Sequence, residues 1–149
     1  MEQLCEELIK TWLNMSVVIR NNRIITNLTF NESLVCNLLY HHSSSNNGLL
    51  TATDICEKAR LLKSQINKVL NSLEKLELIE KVRSNEDKRK VYLKLNEENL
   101  NLYLDQHQRV IALMEQLVHT IGEEKARQAI SLLNEITEVM GKLTDDKSK

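Results

Sequence analysis

The sequence predicts a mainly α-helical fold broken once by a small β-hairpin. Three observations carry this. The 149 residues include three glycines and no proline, so few positions can take positive φ or stop a helix by force. Apolar residues recur every three or four positions over most of the chain, the spacing of one helix face. Between Leu78 and Leu95 the pattern turns strand-like. A hydrophobic content of 42% is enough to bury a core, which excludes a disordered tail or a fibre.

Residues 2–21 set Leu4, Leu8, Trp12, Met15 and Ile19 on the stripe of an amphipathic helix. A second, short helix fits Asn31 to His42, with Leu34, Val35, Leu38 and Leu39 apolar, and Ser43 to Gly48 reads as a loop. Thr51-Ala-Thr-Asp54 has the form of a capping box: the hydroxyl can take a backbone donor, and Asp54 can sit near the positive end of the helix dipole. A short helix to about Lys58 follows. Past Ala59-Arg60-Leu61-Leu62 a longer helix runs from Lys63 to Glu77. Ile66, Val69, Leu70, Leu73 and Leu76 point inward, and Ser64, Gln65, Asn67, Lys68, Asn71 and Lys75 outward. Two helices about four residues apart, the second free of acids on its outer face until Glu74, form a helix-turn-helix signature.

Leu78 to Arg83 and Arg89 to Leu95 read as strands. In the second, Val91, Leu93 and Leu95 alternate with Lys90, Tyr92 and Lys94. Ser84-Asn85-Glu86-Asp87-Lys88 supplies the turn, and the hairpin tip carries Lys88, Arg89 and Lys90. A helix-turn-helix followed by a basic hairpin is a winged helix, here spanning residues 30–96. From Asn96, a candidate N-cap, to Gly141 the helical period returns, with Gly122 as C-cap and hinge. Leu113, Met114, Leu117, Val118 and Ile121 lie on one stripe, Ala126, Ala129, Ile130, Leu133, Ile136 and Met140 on the next. One small winged helix offers too little surface to cover these stripes and that of the first helix. Residues 1–29 and 97–149 are therefore read as a helical dimerisation domain, burying its stripes against a second copy in a homodimer.

The formal net charge of −1 conceals an uneven distribution. From Lys58 to Lys94 eleven basic residues face five acidic ones, leaving +6, while the rest of the chain carries −7. Such asymmetry is the footprint of a polyanion-binding module in an otherwise acidic protein. Gln and Asn side chains can bind adenine N6 and N7 bidentately, Lys68 can reach guanine or a phosphate, and an Arg on a thin wing suits a narrow minor groove.

Several chemistries are excluded. Gly48, Gly122 and Gly141 are too scattered for a phosphate-binding loop. With no H-E-x-x-H and no nucleophile elbow, no catalytic constellation is visible, so no enzyme and no cofactor are expected. His41 and His42 are adjacent and would point to different sides of a helix, and His107 has no second ligand one or two turns away, so no metal site is expected. Cys5, Cys36 and Cys56, odd in number and without a C-x-x-C pair, fit neither a disulfide framework nor a zinc ribbon, and each is expected to pack as a small apolar side chain. The start of the chain, Met1-Glu2-Gln3-Leu4-Cys5-Glu6-Glu7, is acidic where a secretory signal would be basic. No apolar run reaches the roughly 18 residues of a membrane span, which points to a cytoplasmic protein away from the membrane.

This order of elements resembles the MarR (multiple-antibiotic-resistance regulator) family of dimeric transcription factors along essentially the whole chain. The most specific stretches are Leu50-Thr-Ala-Thr-Asp-Ile-Cys56, Ser64-Gln-Ile-Asn-Lys-Val-Leu-Asn-Ser-Leu-Glu-Lys-Leu76, Leu78-Ile-Glu-Lys81 and Asp87-Lys-Arg-Lys-Val-Tyr-Leu-Lys-Leu95. They look like the family's recognition helix, its leucine-isoleucine lead into the wing, and its D-x-R motif with an alternating strand. The resemblance implies that Asp87 pairs with and orients Arg89, which enters the minor groove, while Ser64, Gln65, Asn67 and Lys68 face the major groove. Leu62 departs from the family in standing where a capping Ser, Asp or Asn is usual, and Asn99 replaces the common glycine after the wing. Cys5 lies near the start of the first helix, as does the reactive cysteine of the family's organic-hydroperoxide-sensing branch. That branch pairs its thiolate with tyrosines, however; here Tyr40 is the first tyrosine and Glu6 and Glu7 flank the thiol, so Cys5 is read as packed and inert.

The reading is a homodimeric, sequence-specific DNA-binding transcriptional regulator, a repressor released by a small-molecule or stress effector. Its operator would be a pseudo-palindrome in double-stranded DNA, contacted by Lys63, Ser64, Gln65, Asn67, Lys68, Asn71, Lys88, Arg89 and Lys90. The competing class is a winged helix used for protein interaction, with its basic face merely solvated.

Overall fold

The computed structural model describes residues 1–21, 27–44, 48–85 and 87–145. The elements run α1 (Glu2–Asn21), α2 (Phe30–Ser44), β1 (Leu50–Thr51), α3 (Ala52–Ala59), α4 (Lys63–Lys75), β2 (Ile79–Arg83), β3 (Val91–Leu95), α5 (Asn101–Ile121) and α6 (Glu123–Asp145). Residues 1–109 and 110–149 are two compact units, taken in turn.

In the first unit Val35, Cys36 and Leu39 of α2, Ile55 of α3, Ile66, Val69, Leu70 and Leu73 of α4, Leu93 and Leu95 of β3 and Tyr103 of α5 bury into one cluster with Leu78 and Ile79. Helix α2 begins one residue earlier than the sequence suggests, because Thr29 and Glu32 form a capping box. The Thr29 N–H donates to Glu32 Oε2 at 2.6 Å and the Glu32 N–H to Thr29 Oγ1 at 3.3 Å. The expected box at α3 is present: Thr51 Oγ1 accepts the Asp54 N–H at 3.2 Å, and Asp54 Oδ2 accepts the Thr51 N–H at 2.8 Å. Hydrogen bonds from the Thr51 hydroxyl and N–H hold the Asp54 carboxyl below its ordinary range. Of the expected loop Ser43 to Gly48, Ser43 and Ser44 extend α2, and residues 45–47 lie outside the described residues.

Helix α4 ends at Lys75, earlier than read, in a Schellman turn. The Leu78 N–H bonds Leu73 O at 2.9 Å and the Glu77 N–H bonds Glu74 O at 2.9 Å, with Leu73 and Leu78 both fully buried. Glu77 holds the left-handed position at φ 54, where glycine is usual, and Asn99 Nδ2 donates to its carbonyl at 3.3 Å. Leu76, expected inward, lies in this turn and is exposed.

The sheet is three-stranded and antiparallel in the order β1-β3-β2. Ile79 pairs with Leu95 and Arg83 with Val91, so the hairpin strands are shorter than expected. Strand β1, with Leu50 opposite Leu93, was not anticipated: two residues show no period, and only their partner makes them a strand. Asn96 does not cap the helix after the wing. Its Oδ1 accepts the Glu98 N–H at 3.0 Å within a turn, and α5 starts at Asn101.

Two buried polar side chains tie this unit together. Gln106 Oε1 accepts the N–H groups of Asn27 and Leu28 at 2.9 and 3.1 Å, while its Nε2 donates to Ser33 Oγ at 2.6 Å. Burial alone pushes the Glu32 carboxyl up, but hydrogen bonds from Ser72 and Thr29 outweigh it and hold the group below its ordinary range. Helix α1 has no buried residue, leaving Leu4, Leu8, Trp12, Met15 and Ile19 exposed.

In the second unit Gly122, at φ +89, donates to Val118 O at 2.8 Å and accepts the Ala126 N–H at 3.1 Å, so it both ends α5 and starts α6, as the sequence suggests. Ile130, Leu133, Ile136 and Met140 of α6 and Leu113, Met114 and Leu117 of α5 are exposed. An open groove of about 460 Å³ beside Gly122 is lined by Ile111, Met114, Val118 and His119 among others.

Two outcomes follow for stability. Glu77→Gly is expected to raise it by about 0.5–1 kcal/mol, seen as a higher urea midpoint at unchanged slope, because glycine removes the Cβ penalty of the left-handed turn. Glu32→Gln is expected to cost about 1–2 kcal/mol at neutral pH. The Glu32 carboxyl is more acidic folded than unfolded, so its stabilisation is present above its ordinary range and is lost as pH falls through the lowered value. The gap between variant and wild type in urea unfolding should therefore narrow as the pH falls below the ordinary carboxylate range and close below the lowered value.

Candidate nucleic-acid interface

Helix α4 buries Ile66, Val69, Leu70 and Leu73 and so turns Lys63, Ser64, Gln65, Asn67, Lys68 and Asn71 to solvent. Glu74, the acid that ends this polar face, is taken up by Lys81 Nζ of β2 at 2.7 Å, which neutralises it and ties α4 to the wing. Among the described residues no carboxylate forms an ion pair with Lys63, Lys68, Lys88, Arg89 or Lys90. Exposed cations without counterions are what a phosphate backbone attracts.

The helix-turn-helix joint is Arg60, left-handed at φ 52, followed by Leu61 and Leu62. Leu62 supplies no side-chain cap to α4. Its N–H instead donates to Gln65 Oε1 at 2.9 Å, so Gln65 turns back on its own helix although it was read as a base contact.

At the wing Asp87 takes a role different from the one implied by resemblance. Asp87 Oδ1 accepts the backbone N–H of Arg89 at 3.0 Å, and no bond to the guanidinium is formed. The Lys90 N–H bonds Asp87 O at 2.9 Å, the Ser84 N–H bonds Lys90 O at 3.0 Å, and the Asp87 N–H donates to Ser84 Oγ at 3.2 Å. A short side chain folding onto the backbone two residues ahead is the ordinary use of Asp in a turn. Asp87 thus shapes the turn that presents Lys88, Arg89 and Lys90, all exposed. Glu86 lies outside the described residues.

A second cluster escaped the sequence reading. Tyr40 and His41 of α2 meet Tyr103 and His107 of α5, with ring centroids 5.3–6.3 Å apart. Asn37 Nδ2 donates to Tyr103 Oη at 3.1 Å, and the same hydroxyl shares a hydrogen bond with His107 Nδ1 at 3.3 Å. Only the helix pairing brings residues so far apart in sequence together. Among the described residues no group of three His, Cys, Asp or Glu side chains could hold a metal ion. Cys36 is buried and Cys56 half-buried, as expected; desolvation, with Glu32 nearby, pushes the Cys36 thiol up to about 12. Cys5 departs from expectation and is exposed, on a helix that has no buried residue.

A helix-turn-helix with a paired, basic wing defines a winged-helix protein. Residues 23–106 match the family described as transcriptional regulator SarA/Rot, and the chain belongs to that family. It is 30% identical over 93 residues to the HTH-type transcriptional regulator FarR of Neisseria gonorrhoeae, a match spanning 62% of this chain and 64% of that relative. The PcaV transcriptional regulator of Streptomyces coelicolor, solved with its natural ligand, shares the fold at a TM-score of 0.71 and 19% identity over 88% of this chain and 89% of that one. NadR, solved with 4-hydroxyphenylacetate, aligns at a TM-score of 0.64 and 26% identity over 87% and 89%. The MarR resemblance read from the sequence agrees with these relatives. Among the described residues no helix is long and apolar enough to cross a membrane.

The wing geometry has a direct check. Asp87→Ala should speed amide hydrogen exchange at Arg89 and Lys90 while moving global stability by less than about 0.5 kcal/mol, because an exposed turn bond is lost and the core is untouched. Unchanged exchange at both amides would show that Asp87 does not hold the turn.

Proposed function

We propose that the chain acts as a homodimer that binds double-stranded DNA sequence-specifically and represses transcription until a small molecule releases it. The observation that carries this is the exposed, carboxylate-free face of Lys63, Ser64, Asn67, Lys68 and Asn71 on α4 together with the cationic wing tip, in a chain otherwise acidic. Residues 30–96 are the DNA-binding domain, and residues 1–29 and 97–149 the dimerisation helices. A second copy accounts for the exposed apolar faces of α1, α5 and α6, which are far larger than a soluble monomer keeps wet. Release by a small molecule is supported by the ligands held by PcaV and NadR. The family supports a regulator rather than an enzyme.

Titration against the DNA upstream of its own gene at low and physiological salt tests the proposal. Affinity should fall steeply, with a log-log slope equivalent to several phosphates per dimer. Footprinting should show two half-sites roughly 10 base pairs apart. Arg89→Ala should weaken binding at least about tenfold with fold and dimer intact. Salt-independent affinity, or a single asymmetric footprint, would instead favour a module that binds protein.

A further inference from the structure

The exposed face of α4 is not uniform, and two independent observations divide it. The buried residues Ile66, Val69, Leu70 and Leu73 fix which side of the helix faces the core. With about 100° per residue, the line opposite that stripe runs through Ser64, Lys68, Asn71 and Lys75, spaced by four, three and four. All four side chains are exposed. Gln65 lies about 90° round from the middle of this ridge, on the flank of the helix. The second observation is chemical. Gln65 Oε1 is already bonded to the Leu62 N–H, and Leu62 has no side chain able to cap the helix itself. A bidentate grip on adenine needs both the amide oxygen and the amide nitrogen of one side chain. A glutamine drawn back onto the helix start by its oxygen must break that bond to turn both groups toward a base.

We infer that Gln65 is a positioning residue that anchors the start of the recognition helix, and that base sequence is read along the ridge of Ser64, Lys68 and Asn71, with Lys75 as its phosphate-binding end. The inference rests on the DNA-binding reading above and assigns roles within it. Asn71 is the ridge residue whose side-chain amide holds a donor and an acceptor on separate atoms, as a bidentate grip on adenine needs, so it carries adenine recognition. Lys68 is suited to the paired acceptors of guanine, and Ser64 to either edge. Lys75 sits in the last turn of α4, where a cation meets the partial negative charge of the helix end and no carboxylate among the described residues pairs with it.

Selection from a randomised DNA duplex library, performed with the wild-type dimer and with Gln65→Ala, Asn71→Ala and Lys75→Ala, tests the division together with urea unfolding of each. Asn71→Ala should lose roughly fivefold or more of its preference at one base pair in each half-site, with its urea midpoint unchanged. Gln65→Ala should recover the wild-type motif, bind it more weakly by a similar factor at every variant sequence, and unfold at lower urea. Gln65→Glu, which keeps the accepting oxygen, should restore the midpoint. Lys75→Ala should keep the motif and reduce the salt slope by about one. The assignment is overturned if Gln65→Ala relaxes one base pair at an unchanged midpoint, or if Asn71→Ala leaves the motif intact. Failure of the wild type to enrich any sequence would overturn the DNA reading itself and the ridge with it. The capping role is decided separately, by the urea midpoints alone.

Discussion

The buried pair Glu32 and Gln106 is the constraint on which the winged helix depends. Glu32 takes hydrogen bonds from Thr29 at the start of α2 and from Ser72 on α4, and Gln106 of α5 takes the N–H groups of Asn27 and Leu28 and donates to Ser33. Three segments distant in sequence are thereby tied together at one place. A buried carboxylate without such donors would cost several kcal/mol and would protonate instead. Its lowered pKa is the sign that the donors outweigh burial. Among the described residues no buried side-chain polar atom lacks a partner, so this polar node strengthens the apolar core of Val35, Ile55, Leu73 and Leu93 and does not weaken it.

The node also reaches the recognition helix. Ser72 lies on α4 between the buried Leu70 and Leu73 and is a hydrogen-bond partner of Glu32, which links α4 to α2. The direction of the outer face follows from the buried stripe of Ile66, Val69, Leu70 and Leu73. The wing is held to the same helix from the other side by Lys81 and Glu74. An exposed ion pair of this kind contributes little to stability, and its larger effect is to neutralise the one acid that borders the polar face.

The legible elements were those whose determinants are local. The Thr51-Asp54 box, the stripe of α4 from Ile66 to Leu73, the alternation of β3 and the Gly122 hinge each lie within a few residues, and each is where the sequence places it, although Leu76 falls outside the stripe. Contacts between distant segments were hidden. β1 is a strand through Leu93 and Tyr92, Gln106 was an unremarkable polar residue in a helix, and the Tyr40, His41, Tyr103 and His107 cluster exists only once α2 packs on α5. The Thr29-Glu32 box was local and could have been found: T-x-x-E directly before an apolar run is the same signal as at Thr51. The bonds made by Asp87 and Gln65 were hidden for a related reason. Sequence shows which groups a side chain carries but not whether the backbone claims them first, and both bond main-chain N–H groups.

The recognition helix is bracketed by two non-glycine residues in the left-handed conformation, Arg60 before it and Glu77 after it. A glycine at either place would reach that geometry with less strain, yet would sample many other geometries as well. Side chains with a Cβ narrow the joint on both sides, so α4 has few alternative orientations to give up when it meets a ligand. The entropy of placing the helix is then settled during folding and not at the moment of binding, which favours tight association through a small number of contacts.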